Sequence, residues 1–98
     1  MGELNEITIA YEEDGRELVK ELSREVLTTG AWATVMFLYQ DRSRSSDEWS
    51  EPKVRIQRYQ KKGGSYRTHS KLNISSAKQA EKIIEVLRRW YELDGKGS

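Results

Sequence analysis

The stretch KVRIQRYQKKGGSYRTHSK, residues 53–71, decides the fold. In its first half, Val54 and Ile56 are apolar and their neighbours are polar or cationic. Alternation with a period of two is typical of a β-strand that buries one face. KKGG follows as a turn, and a second alternating run occupies residues 65–74. The stretch therefore predicts two antiparallel strands joined through a glycine turn.

The same residues are strongly basic in a chain that is nearly neutral. Residues 53–71 contain seven Lys or Arg residues, one His, two Tyr and no acid, whereas the formal net charge of the whole chain is +1. Residues 1–25 have the opposite balance, with eight acids and three bases. Because the local potential governs the choice of partner more than the summed charge does, this segregation indicates a surface that binds a polyanion.

The residues before this hairpin predict the rest of an antiparallel sheet. ITIAYEE, residues 7–13, is rich in β-formers and precedes Asp14-Gly15, a typical two-residue hairpin turn. AWATVMFLYQ, residues 31–40, is apolar on both faces, as a central strand is. Residues 41–52 are polar, rich in Ser and closed by Pro, which predicts a loop.

Residues 16–28 are compatible with two structures. The apolar residues of this segment recur at helical spacing: Leu18, Val19, Leu22 and Val26. The Asp-Gly turn before the segment and the Thr-Thr-Gly turn after it favour a strand instead. Periodicity taken alone slightly favours the helix.

The C-terminal part predicts one amphipathic helix. Ser76 and Gln79 have the spacing of a capping box, and Gly95 is a typical helix stop. Apolar side chains form a stripe along it: Ala80, Ile83, Ile84, Leu87 and Tyr91. The predicted fold class is α+β, a curved antiparallel β-meander of four to five strands followed by one C-terminal amphipathic helix that covers a face of the sheet. We expect residues 1–94 to form a single domain and residues 95–98 a disordered tail.

The composition argues against several classes of protein. The chain has no Cys, which excludes disulfides and thiolate metal sites, and its single His argues against a His-based metal cluster. We therefore expect no metal and no cofactor. The longest apolar run is VMFL, too short to span a membrane, and the acidic N-terminus lacks the pattern of a signal peptide. We expect a cytoplasmic protein without membrane contact.

No catalytic constellation is present in the sequence. His69 lies in a basic run with no acid nearby, and KKGGS lacks the residue order of a phosphate-binding loop. The carboxylate pairs Glu12-Glu13 and Asp47-Glu48 are adjacent in polar segments, whereas general acid–base catalysis needs buried and perturbed groups. We predict that the protein is not an enzyme.

The two alternating runs predict a lattice of polar side chains on one face of the sheet. Its rows are Lys53, Arg55, Gln57 and Tyr59, and beside them Arg67, His69 and Lys71, with Tyr66 on the other face next to Leu72 and Ile74. Side chains on one face repeat about every 6.8 Å along a strand, a spacing similar to that of phosphates on an extended single strand. Cations neutralise phosphates and aromatic rings stack on bases, so this face suits single-stranded nucleic acid.

Further candidate contacts lie outside the lattice. They are Trp32 at the start of the central strand, Lys61 and Lys62 in the turn, and Arg42, Arg44 and Trp49 in the loop. Trp32 is either a core residue or an exposed stacking platform. Trp49 either anchors the loop on the sheet or, with the two loop arginines, folds over a bound strand. A solvated face is the general alternative, but such a face normally mixes the two signs of charge.

Two rival functions use the same surface. RNA binding would need groups that reach the 2′-hydroxyl, and Gln57, Thr68 and Asn73 could supply them. A protein-interaction module would instead dock an acidic partner on the basic strands. The sequence does not separate these rivals from DNA binding.

Short motifs along the chain resemble a known family. They are Gly30 and Trp32, then Glu51-Pro52-Lys53, then Ile56, Arg58 and Tyr59, and finally Leu72-Asn73-Ile74-Ser75 before the helix. Over roughly residues 20–92 the chain is similar to the positive-cofactor-type transcriptional coactivators, and most of all to their bacterial members. These are small homodimers that bind single-stranded DNA and have a Whirly-like β-β-β-β-α fold.

The resemblance has implications for structure and function. It implies that residues 17–28 form a strand, that Lys53 and Arg55 contact the DNA backbone and that Trp32 stacks on a base. It implies single-stranded DNA binding with little sequence preference, in transcription or in replication and repair. It also implies a homodimer that pairs through helices and sheet edges, for which we predict these contacts: Ile84, Leu87, Trp90 and Tyr91.

The chain departs from the family pattern at three places. Ser70 and Lys71 stand where the family's last strand usually has a Lys-Gly pair, which affects the bend expected of that strand. The loop at residues 41–51 is longer, and the acidic N-terminal strand is additional. We expect this acidic start to be able to compete for the basic face.

Overall fold

A computed structural model describes residues 7–93 and shows one antiparallel sheet followed by one helix. The strands are β1 (Tyr11–Glu13), β2 (Arg16–Thr28), β3 (Trp32–Asp41), β4 (Lys53–Lys62) and β5 (Ser65–Ile74), and the helix is α1 (Ala77–Tyr91). Each strand pairs with the next one along the chain, so the sheet is a meander, and it curls into a half-barrel. The predicted α+β fold class is confirmed.

Two tight turns set the hairpins of this meander. Asp14 and Gly15 both have positive φ, at 53° and 76°, and Gly63 and Gly64 have φ of 59° and 85°. Two successive residues of positive φ are typical of a two-residue turn whose twist matches that of the flanking strands. The second turn is shorter than the predicted KKGG, because β4 continues through Lys62.

Residues 16–28 form strand β2, so the helix favoured by the spacing is wrong and the strand implied by the resemblance is correct. The physical reason is that the register of β2 against β3 shifts twice, between Glu21 and Ser23 and between Val26 and Thr28. Each such bulge adds a residue to one strand and reverses the alternation beyond it. A strand with two interruptions therefore spaces its apolar residues at mixed intervals that resemble those of a helix.

The sheet has an inner face, which holds most of the core, and an outer face. On β3 and β4 the inner face carries the odd-numbered residues, because Ala33 pairs with Tyr59 and Val35 pairs with Gln57. These four side chains are buried, as is Phe37. The outer face carries the even-numbered residues of the same two strands, among them a group of apolar side chains: Met36, Leu38, Val54 and Ile56.

The N-terminal segment, residues 7–10, lies against the inner face. The predicted strand over residues 7–13 is shorter than expected, since β1 begins only at Tyr11. Ile7 and Ile9 instead pack against the inner cluster, which comprises Val35, Phe37 and Tyr59. A piece of chain without strand pairing therefore supplies part of the cover of the core.

The start of α1 agrees with the predicted capping box. Ser76 is the N-cap, and its hydroxyl accepts a hydrogen bond from the backbone N–H of Gln79 at 3.2 Å. The amide oxygen of Gln79 accepts in return from the backbone N–H of Ser75 at 2.9 Å, one residue earlier than expected. The helix ends at Tyr91, and Glu92 takes the left-handed cap conformation at φ 54°. The predicted stop at Gly95 and the predicted tail lie outside the described residues.

The helix does not cover a face of the sheet, and this prediction is wrong. No side chain of α1, all of which belongs to the described residues, is buried, and the main contact of the helix with the sheet is with β5, the strand directly before it. The inner face is already occupied by the N-terminal segment. The described residues measure 52 × 38 × 18 Å, so this part of the molecule is flat. No helix in residues 7–93 is long and apolar enough to cross a membrane.

Candidate nucleic-acid interface

A β-bulge in β5 divides the predicted lattice. Arg58 of β4 pairs with Ser70, but the next residue, Tyr59, pairs with Thr68. His69 is therefore the extra residue, and the side chains of β5 before it lie on the face opposite to the one that uninterrupted alternation predicts.

The bulge places the three residues of the second row on different faces. Lys71 pairs with Gln57 and lies on the inner face beside the first row, as predicted. Arg67 pairs with Gln60 and lies on the outer face. The ring of His69 contacts an outer-face residue, so His69 also lies outside. The predicted single lattice is wrong, because two of its three second-row residues are on the other side of the sheet.

The outer face brings together the outer patch, which comprises Trp32, Arg58, Arg67 and His69. The guanidinium carbon of Arg58 lies 4.6 Å from the centroid of the Trp32 ring. The His69 ring meets the same indole edge-on, with centroids 4.8 Å apart and planes at 83°. Trp32 is 38% exposed and is not a core residue. Arg67 is exposed and lies one strand further out, opposite Gln60, which pairs with Trp32.

Arg58 was not among the predicted contact residues. Regular alternation places Arg58 on the same face of β4 as Val54 and Ile56. Because those two residues are apolar, the alternation indicates no binding surface on that face. The outer face of β4 therefore changes character along its length, from apolar near Val54 to cationic near Arg58. Only the pairing of Trp32 with the adjacent strand shows that this arginine and the indole meet.

The first predicted row lies on the inner face, with its cations tied to neighbours. The ammonium of Lys53 lies 3.3 Å from both carboxylate oxygens of Asp41. Arg55 donates from Nε to the side-chain oxygen of Asn73 at 2.8 Å, and its guanidinium carbon lies 4.8 Å from the centre of the Tyr39 ring. These contacts orient the two cations along the rim of the inner face.

The other two residues of that row are buried. Gln57 donates from Nε2 to the hydroxyl of Tyr59 at 2.8 Å, and Tyr59 is only 3% exposed. Burial raises the pKa of the Tyr59 hydroxyl, and the positive charges of Arg24 and Arg55 oppose this rise. In the arrangement described, Tyr59 cannot stack on a base, because Ile7 and Ile9 pack on the cluster to which it belongs.

The turn end of the hairpin has its own cations. Tyr66 pairs with Lys61, which places it on the inner face and not beside Leu72, so its predicted side is wrong for the same reason as that of Arg67. The Lys61 ammonium lies 5.4 Å from the centroid of the Tyr66 ring, and the Tyr66 hydroxyl donates to the backbone oxygen of Gly30 at 2.9 Å. Lys62 is exposed beside the turn.

Ion pairs and ring contacts fasten the loop between β3 and β4. Asp47 accepts hydrogen bonds from Arg42 at 2.9 Å and from Arg16 at 2.5 Å. The hydrogen bond from Arg42 and the charge of Arg16 lower the pKa of the Asp47 carboxyl. Arg44 pairs with Glu13 of β1. The two predicted loop cations are thus already neutralised by acids of this chain.

Trp49 has the packing of a loop anchor. Two cations lie over its ring, with the Lys20 ammonium 4.3 Å and the Arg42 guanidinium carbon 4.4 Å from its centroid. Arg42 and Trp49 also form an isolated β-bridge. Of the two interpretations of this tryptophan, the structure agrees with the loop anchor.

The predicted dimer contacts form an exposed stripe on α1. Ile84 and Leu87 are 47% and 42% exposed, and Trp90 and Tyr91 are each 72% exposed. A second apolar surface lies on the outer face, where Leu38 is 36% and Leu72 is 57% exposed. Exposed apolar surfaces of this kind commonly mark protein interfaces.

No metal site accompanies these surfaces in the part of the chain that the structure describes, since no three His, Asp or Glu residues are grouped to hold an ion. Comparison of the chain with protein-family models, with curated proteins and with solved structures finds no match. The family resemblance therefore stays a prediction based on the short motifs.

Proposed function

We propose that this protein binds single-stranded DNA, with little sequence preference, through the β4–β5 hairpin. The observation that carries the proposal is the outer patch. There an exposed indole, Trp32 of β3, lies within 5 Å of a guanidinium and an imidazole of the β4–β5 hairpin, and residues 53–71 of that hairpin contain no acid.

The chemistry of the outer patch matches the two parts of a single strand. A base has a flat π-face, and stacking on an aromatic side chain contributes about 1–3 kcal/mol per base. Arg58 and Arg67 can each neutralise a phosphate, with release of condensed counterions. Stacking does not depend on base identity, which explains the expected lack of sequence preference.

The geometry of the sheet favours a single strand over a duplex. A duplex is read by a helix or a two-stranded ribbon that enters a groove. Strand β4 is paired on both sides, with β3 and with β5, so the hairpin cannot enter a groove as a free ribbon. An open sheet face instead offers an extended strand a row of contacts.

A homodimer is part of the proposal. The apolar stripe on α1 and the apolar half of the outer face are both exposed, and the family resemblance implies pairing through the helices. Covering both surfaces with a second copy would give this thin molecule the second layer that a single sheet lacks. Sedimentation of the full chain at micromolar concentration tests this, and a purely monomeric species would contradict the dimer.

The test of DNA binding is fluorescence anisotropy with a labelled dT oligomer of about 20 nucleotides, at two salt concentrations. We expect salt-sensitive binding that a matched duplex displaces poorly. The variant Arg58→Gln should bind at least fivefold more weakly. Its control, Lys78→Gln, removes the same charge from the exposed start of α1 and should bind as the unchanged protein does.

Competitors distinguish the rival functions. A matched uridine oligomer that competes better than dT would establish RNA as the ligand. Heparin or an acidic peptide that competes as well as dT, with no effect of Trp32→Ala, would indicate a site for acidic protein partners. Absence of dT binding at low salt would overturn the proposal.

A further inference from the structure

The inner face holds a second set of aromatic side chains next to cations. Phe37 and Tyr59 belong to the inner cluster, and Tyr66 packs against it. Arg55 and Lys71 lie on the same face, on β4 and β5, and Lys71 is exposed. Aromatic side chains bordered by cations are the arrangement that binds a single strand, yet Phe37 and Tyr59 are 1% and 3% exposed.

Part of the cover of these rings comes from the protein's own N-terminal segment. Ile7 and Ile9 contact the inner cluster, two residues apart as in an extended chain. Between them Thr8 donates a hydrogen bond from its hydroxyl to Glu21 at 2.6 Å. An extended piece of polypeptide thus occupies the position that an extended nucleic acid would need.

The attachment of this segment differs from that of the strands. Pairing of β1 with β2 begins at Tyr11, so residues 7–10 belong to no ladder. The backbone N–H of Ala10 donates to the Thr8 hydroxyl, within the segment itself. If Thr8 leaves, Glu21 keeps its ion pair with Arg24, whose Nε lies 2.9 Å away. Releasing the segment therefore disrupts no strand pairing and leaves Glu21 paired.

We propose that the N-terminal segment is an intramolecular competitor of the ligand: residues 7–10 occupy the inner face, and a single strand of DNA displaces them. This inference rests on the proposed function. In the displaced state, bases stack on Tyr59 and Tyr66, and phosphates bind Arg55 and Lys71. The outer patch is open at all times, and the inner face opens only when the segment leaves.

Such competition lowers the apparent affinity by the fraction of molecules that are open. A protein whose competent state is partly populated has an apparent Kd equal to the intrinsic Kd divided by that fraction. Weakening the cover therefore tightens binding without any new contact. We expect the variant Ile9→Ser, which weakens the apolar contact of the segment, to bind dT about tenfold more tightly at the inner face.

The direct test follows the segment with a spin label. The chain has no Cys, so Thr8→Cys provides a unique attachment site, and Lys78→Cys on α1 provides a control position. We expect saturating dT oligomer to sharpen the spectrum at position 8 and to leave the spectrum at position 78 unchanged. Far-UV circular dichroism of both labelled proteins checks that the sheet is intact.

The outcomes separate this inference from the function on which it rests. Bound dT, shown by anisotropy, with an unchanged spectrum at position 8 would overturn the displacement and leave single-strand binding in place. No bound dT would overturn both.

A double-variant comparison gives an independent readout. Lys71→Gln should weaken binding more in the Ile9→Ser protein than in the unchanged chain, because only the former exposes the inner face fully. Arg58→Gln should weaken both proteins by the same factor. Equal effects of Lys71→Gln in the two proteins would overturn the inference.

Discussion

On the outer face of the sheet, Trp32 of β3 is 38% exposed beside Arg58 of β4, whereas on the inner face Tyr59 is 3% exposed on the strand that carries Arg55. Both faces thus combine an aromatic ring with an arginine of β4. They differ in cover, because the inner rings contact Ile7 and Ile9.

Residue type alone therefore does not define a binding surface. An aromatic ring stabilises the fold where it is covered and can receive a ligand where it is open. The inner face does the first in the structure described and would do the second after displacement of the N-terminal segment. Four measurements test this difference between the two faces.

The largest expected effect is on stability and belongs to the inner face. Phe37 is 1% exposed, so Phe37→Ala removes a buried ring and should lower the free energy of unfolding by about 3–5 kcal/mol. Urea denaturation followed by circular dichroism measures this. The matched change on the outer face, Trp32→Ala, should cost much less stability. Equal losses of unfolding free energy in the two variants would mean that the two faces contribute equally to stability.

The second effect is on affinity and belongs to the outer face. Trp32→Ala should weaken dT binding by about 1–3 kcal/mol, or roughly 5- to 150-fold, since it removes a stacking platform. Trp32→Phe keeps an aromatic ring and should recover part of the loss. Anisotropy titration at a single salt concentration measures both. Unchanged affinity of Trp32→Ala would move the site away from the outer patch.

The third effect is on the salt dependence of binding. Arg67→Ala on the outer face should reduce the slope of log affinity against log salt by about 0.7, the amount expected for one phosphate contact with a single strand. Arg55→Ala should change the slope less, because this residue already donates to Asn73 and borders the covered face. A larger change for Arg55 would show that the inner face is the main contact in solution.

The smallest effect is a pH dependence on the inner face. Burial raises the pKa of Tyr59 in the folded protein, whereas in the unfolded chain this hydroxyl ionises near its ordinary pKa of about 10. Above that pH the unfolded chain loses its proton first, so the free energy of unfolding should fall as pH rises through 10.

Urea titrations at several pH values between about 9 and 11 measure this fall. Tyr59→Phe should flatten it, although that variant also loses the hydrogen bond from Gln57. An identical slope in the two proteins would mean that Tyr59 is open to solvent, and that the inner face is less covered than the structure describes.

The sequence predicts the order of elements well and the faces of β5 poorly. Alternation around Val54 and Ile56 is regular, and two-residue turns join the flanking strands, so the meander follows from local chemistry. Residues 67–70 read Arg-Thr-His-Ser and are all polar, so a one-residue shift in register changes no alternation of apolar and polar residues there. The bulge at His69 places the predicted site residues on two faces of the sheet. It could be found only from the pairing of β4 with β5 in the structure.

The positions of the helix and of the N-terminal segment also could not be predicted from the sequence. An amphipathic stripe shows that α1 has an apolar face, but not whether its own sheet or another surface receives that face. ITIAYEE has the composition of a strand, and nothing local indicates that Ile7 and Ile9 leave the ladder to pack on the inner cluster. In the N-terminal segment, tertiary packing outweighs the local preference for a strand.

The bulge at His69 also makes the β4–β5 hairpin tolerant of a one-residue deletion. Strand β5 is at the edge of the sheet and pairs only with β4, so a change in its register disturbs no second ladder. Removing His69 would restore regular alternation and leave Arg67 opposite Gln60 and Tyr66 opposite Lys61, so these side chains would keep their faces. Loss of this one codon would therefore remove the imidazole beside Trp32 and leave the division of the other cations between the two surfaces unchanged.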